Sequence, residues 1–86
     1  MEIYPSTYFS QKYKKLVKKH QQLSLKIDKK LQLLSENRNH PSLRLHKLSG
    51  KSIKWSISVT GDLRILFEYV SDGILLVDIG SHDEVY

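Results

Sequence analysis

The 86-residue chain contains no cysteine, so it can build neither a disulfide framework nor a thiolate zinc site. That absence fits a reducing compartment. Proline occurs only twice and 40% of the residues are hydrophobic, which excludes a disordered, proline-rich polymer. No apolar run approaches the roughly 18 residues of a membrane span. Residues 1–20 also lack the continuous apolar segment of a secretory signal. A soluble, cytoplasmic protein with no membrane partner is the expectation. The length leaves room for one domain, residues 1–86, and little for a second core.

Positive charge is scarce in the second half. Residues 55–86 hold one cation, Arg64, against six acids, whereas residues 1–54 hold 13 Lys and Arg against Glu2, Asp28 and Glu36. A polyanion or a strongly acidic protein suits the basic half as a partner. Lysines that merely solvate helices account for it equally well. The isolated Arg64 has no such plain explanation. Gly-rich phosphate loops, nucleophile elbows and dinucleotide fingerprints are all missing.

What remains is a clear alternation of patterns. Ile3 and Tyr4 precede Pro5, as a brief first strand would, and Ser6 or Thr7 then offers an N-cap. Phe9, Tyr13, Leu16, Val17 and His20 share one helical face; after a break near Gln21, Leu23, Ile27, Leu31 and Leu34 repeat it. Asn37 to Pro41 ends the second helix. In residues 53–59, Ile53, Trp55, Ile57 and Val59 alternate with polar residues, and Trp55 reads as core. A turn at Thr60-Gly61-Asp62, a strand over 63–70, a turn at Ser71-Asp72-Gly73 and a strand over 74–79 follow. The expected fold is α+β, in the order β-α-α-β-β-β, with a helix hairpin packed on an antiparallel sheet. Leu63, Ile65, Phe67 and Tyr69 then face the helices and Arg64 the open side. His82 lies at the same edge of the sheet.

The blocks HPSLRLHKLSG, WSISVTGDLRILFEY and IGSHDEVY, in this order, resemble the RelE/ParE superfamily of toxins from type II toxin–antitoxin modules. The closer likeness is to its YafQ and RelE/StbE branch of mRNA interferases. The resemblance implies a RelE-like fold and ribosome-dependent cleavage of mRNA in the A site. There the 2′-hydroxyl attacks the adjacent phosphate, with no metal or other cofactor. It also implies an acidic antitoxin as partner, beside the ribosome and mRNA, and a toxin that is monomeric within the hetero-oligomer.

The same likeness assigns residues. His82 lies where YafQ-like toxins carry a catalytic histidine, and an imidazole titrates near neutrality. Tyr86 takes the aromatic position four residues later, Phe in that branch, suited to stacking on a base or orienting a phosphate. Arg64 matches an arginine aimed at the scissile phosphate, a task for a fork of fixed donors. His46 matches a second histidine and Asp62 an acid at the turn. From charge rather than likeness, the lysine-rich helix pair and the loop with Arg44, Lys47, Lys51 and Lys54 are expected to face ribosomal RNA. One position departs from the branch: Ser58 stands where a further histidine is expected, and if that histidine is the base, this protein uses His46 or His82 instead or works more slowly. Two alternatives share the fold, a ParE-like gyrase inhibitor without nuclease activity and a non-toxic member that acts as an antitoxin-binding co-repressor. His20 and His40 read as incidental. His82, Asp83 and Glu84 carry metal-ligand chemistry, but neighbours in sequence rarely converge on one ion.

Overall fold

The helical half is set by its caps. In the computed structural model, which describes residues 1–86, the Ser6 hydroxyl accepts from the Phe9 N–H at 3.0 Å and starts α1, Thr7–Lys19. Before it runs β1, Glu2–Pro5, and after it α2, Gln22–Glu36. His40, read as incidental, caps the next turn. Its Nδ1 accepts from the Ser42 N–H at 3.2 Å and opens a 3₁₀ turn at Pro41–Leu43.

The strands are β2, His46–Lys47; β3, Lys54–Ser58; β4, Leu63–Val70; and β5, Gly73–Ser81. They form one five-stranded sheet in the order β1-β5-β4-β3-β2, antiparallel except for the parallel β1–β5 pair. Both hydrophobic helix faces pack on one side of this sheet. Phe9, Ile27, Leu34 and Leu43 meet Ile57, Ile65, Phe67, Ile74, Leu76 and Ile79, all buried, and Trp55 lies against this cluster as expected. At Gly73 a Cβ would sit 2.0 Å from the Glu2 carbonyl oxygen, so only glycine lets β1 dock beside β5. Tyr4 fastens the same junction, its hydroxyl donating to Asp72 at 2.6 Å.

Four details differ from the periodicity. Ile53 is 68% exposed and precedes β3, because the backbone of residues 49–52 is turning when it reaches that position. Tyr69 belongs to the helix-facing set yet is exposed near the end of β4, where it packs edge-on against Trp55. His46–Lys47 forms a fourth strand of the meander, too short to alternate visibly. The last strand runs two residues past Ile79 and ends in a helical turn, α3, His82–Val85. This turn packs against β4 and β5, so the face opposite the helices is partly closed. Ser56, Ser58 and Leu66 are all buried.

β5 carries a bulge. Leu66 pairs with Asp78 and Phe67 with Leu76, leaving Val77 without a partner. Bulges redirect side chains, and here the Asp78 carboxylate meets the Lys12 ammonium of α1 at 2.7 Å.

Candidate active site

The α3 turn is written in four residues, SHDE. Ser81 is the N-cap; its hydroxyl accepts from the Glu84 N–H at 3.3 Å, and Glu84 Oε1 accepts from the Ser81 N–H at 2.8 Å. This reciprocal capping box satisfies two donors that a helix start leaves open. Its backbone bond, then the Ser81 hydroxyl, hold the Glu84 carboxyl below the usual carboxylate range, with a smaller contribution from Lys12. Two further features fix the turn. The His82 N–H donates to the Asp62 carbonyl at 3.0 Å. Gly80 leaves room for the turn beneath it, since a Cβ there would lie 3.1 Å from Val85 Cγ1.

One helical turn separates His82 from Tyr86, and their rings meet edge to face with centroids 4.2 Å apart. Tyr86 also reaches across the sheet. Its hydroxyl contacts Ser56 Oγ on β3 and lies 3.3 Å from His46 Nε2 on β2. Cross-strand pairing explains the meeting, because His46 sits opposite Ser56 and Ser56 opposite Leu66 in one row. The result is a cleft of about 410 Å³ lined by His46, Leu48, His82 and Tyr86. Residues 40 positions apart in sequence thus share one concave surface.

Arg64 lies in the adjacent row of the same face, between Ser58 and Gly80. Its Nε is buried with no hydrogen-bond partner. A half-buried guanidinium without a protein acceptor is equipped to take an anion. Ser58, standing where the branch has a histidine, donates its hydroxyl to the Thr60 carbonyl at 2.7 Å and is committed to the turn. Asp62 meets His82 through its backbone carbonyl, while the residue is exposed at the turn. Arg44, Lys47, Lys51 and Lys54 are exposed on the segments flanking His46, and Arg44 takes the left-handed conformation with φ 48°. His82 Nδ1 lies 3.7 Å from the exposed Asp83 carboxylate, and Glu84 is turned to Ser81, so the three adjacent residues do not converge.

Two residues of the site had no sequence signal. Leu48 is a plain aliphatic. Ser56 is one of two serines in WSISV, and only the pairing of β2 with β3 reveals that it faces His46.

A helix pair on one face of a five-stranded sheet, with two histidines, a tyrosine and an arginine on the other, has the fold of small bacterial toxins. A chain of the E. coli DinJ–YafQ toxin–antitoxin complex superposes with a TM-score of 0.81, 19% identity and coverage of 99% of this chain and 96% of that one. A copper-bound mutant toxin from Helicobacter pylori gives 0.78 at 19% identity, covering 100% and 99%. The YoeB/ParE toxin from Agrobacterium tumefaciens gives 0.79 at 14% identity, covering 95% and 99%. The sequence is more specific than the fold: the family of YafQ bacterial toxins of type II toxin–antitoxin systems matches residues 1–86, and the chain belongs to it. No curated protein sequence matches it. No helix is long and apolar enough to cross a membrane.

Proposed function

We propose that this toxin is an endoribonuclease that cuts ribosome-bound mRNA in the A site. The observation that carries the reading is the convergence of His46, His82 and Tyr86 on one cleft, with Arg64 on the same sheet face. In the reaction the ribose 2′-oxygen bonds to the adjacent phosphorus and the P–O5′ bond breaks. A 2′,3′-cyclic phosphate and a 5′-hydroxyl result. His46 is the base that activates the 2′-hydroxyl and His82 donates a proton to the departing 5′-oxygen, a pairing suited to two imidazoles. The Arg64 guanidinium neutralises charge that builds on the phosphorane oxygens. Exposed Arg44, Lys47, Lys51 and Lys54 hold the RNA backbone.

Work of this kind is done in the cytoplasm, where an acidic antitoxin neutralises the basic half of the chain and covers the cleft. The E. coli complex of DinJ with YafQ supports a partner of that type. The test is primer extension on mRNA bound to purified ribosomes. Wild-type toxin cuts in the A site, while His82→Gln, which keeps size but cannot titrate, cuts roughly 10²–10⁴-fold more slowly and still binds ribosomes. Equal cutting by the variant removes His82 from the chemistry. Supercoiling loss in place of mRNA cleavage identifies a gyrase poison.

A further inference from the structure

Ser56 is fully buried, and its side chain has one hydrogen-bond partner, the Tyr86 hydroxyl. From this contact we infer that Ser56 is a positioning residue: it anchors a three-member proton relay, Ser56–Tyr86–His46, through which the base of the proposed cleavage works. The inference rests on the nuclease reading for its catalytic part only.

The direction of the relay follows from hydrogen-bond arithmetic. His46 Nδ1 lies 3.3 Å from the Lys47 carbonyl oxygen, which can only accept. The Nδ1 proton is therefore present. In neutral imidazole that leaves Nε2 as the acceptor, so the Tyr86 hydroxyl donates to it across 3.3 Å. The Tyr86 oxygen then accepts from Ser56 Oγ–H. When His46 gains a proton, both of its nitrogens donate and the chain reverses. Nε2–H now points to the Tyr86 oxygen, and Tyr86 O–H turns to Ser56 Oγ. A serine hydroxyl donates and accepts, so position 56 satisfies both states, which alanine and glycine cannot do.

During cleavage the 2′-hydroxyl proton passes to the Tyr86 oxygen as the Tyr86 proton passes to His46 Nε2. The 2′-oxygen bonds to phosphorus, and the 5′-oxygen leaves with a proton from His82. Ser56 touches neither RNA nor phosphate; it holds the tyrosine oxygen in line.

Two measurements test this. In the full-length free toxin, ¹⁵N spectra of His46 should show the Nδ1–H tautomer, with Nε2 unprotonated. Tyr86→Phe should return His46 to the mixture of a solvated imidazole. Ser56→Ala should fold, bind ribosomes as wild type does, and cleave about tenfold more slowly in single turnover, the worth of one hydrogen bond that holds the Tyr86 oxygen in line for proton transfer. Ser56→Cys, a weak donor and acceptor, should fall between the two. A wild-type His46 protonated on Nε2 overturns the relay whether or not the toxin cuts RNA. Wild-type cleavage by Ser56→Ala overturns the positioning role. A wild-type toxin that shows the expected tautomer and binds ribosomes but cuts nothing overturns the nuclease reading, and the catalytic role of Ser56 with it.

Discussion

Tyr86→Phe removes a single oxygen, and its cost depends on which partner is left behind. The ring stays, so its edge contact with His82 at 4.2 Å survives. His46 is exposed, and water can replace the lost hydroxyl there. Ser56 has 0% exposure, so water cannot reach it, and it has no other side-chain partner. Leaving a buried hydroxyl unsatisfied costs about 1–3 kcal/mol. For a chain of this length net stability is only about 4–13 kcal/mol, so the loss is a large share. At roughly 4–8 °C per kcal/mol, Tm should fall by about 4–24 °C. Ser56→Ala should be milder, because Tyr86 keeps His46 and remains 43% exposed to solvent. The double variant removes both polar groups together and should be within about 0.5 kcal/mol of Ser56→Ala alone. Urea unfolding of all four proteins, compared at constant m, measures the coupling. Losses that simply add, or a Phe variant as stable as wild type, would refute the dependence of Ser56 on Tyr86.

Two further outcomes concern electrostatics. Ribosome affinity should fall steeply between about 50 and 200 mM salt, because each phosphate contact releases counterions. A salt-independent affinity, read by sedimentation, would remove Arg44, Lys47, Lys51 and Lys54 from the interface. The Glu84 carboxyl is held below its ordinary 4.5 by the Ser81 backbone N–H and hydroxyl. An acid depressed in the folded state contributes stability above its ordinary pKa and loses it as pH falls through the depressed value. The α3 turn should therefore loosen on the acid side of 4.5, and the nuclear Overhauser contact between the His82 and Tyr86 rings should fade with it. Glu84→Gln keeps a capping partner but not the titration, so persistence of the same pH dependence in that variant would exclude Glu84 as its source.

The helices and three long strands were legible because each keeps one period over several turns or residues. Phe9 to Leu34 carries a 3.6-residue stripe, and Leu63, Ile65 and Phe67 fall two apart and meet the helices, with Leu66 buried on the other face. Short elements escape such a filter. Two residues of β2 cannot show a period, and α3 is announced only by its capping box, S-x-x-E, in a stretch dominated by a histidine. That omission affected the site. With the tail drawn as a simple strand end, Tyr86 is free to stack, and its hydroxyl has no assigned duty. Coiling residues 82–85 carries Tyr86 back over β3, where it meets Ser56 and His46. His46 and His82 were found by their place in family-like blocks, whereas Ser56 matters through a contact that no local pattern encodes.

The parallel pairing of β1 with β5 also sets a timetable. Ile3 is matched to Ile74, so the first strand made during synthesis must wait for one of the last. Until β5 emerges, α1 lacks the strand it packs on, which is still inside the ribosome. Joining segments so distant in sequence carries a large loop-closure cost before any contact repays it. The sheet is therefore completed late, and nascent chains halted before Gly73 should show α1 amides that exchange faster with solvent than those of the whole chain. A cleft that forms only after most of its polypeptide has left the ribosome gives a partner bound to the emerging basic half a head start over the folded toxin.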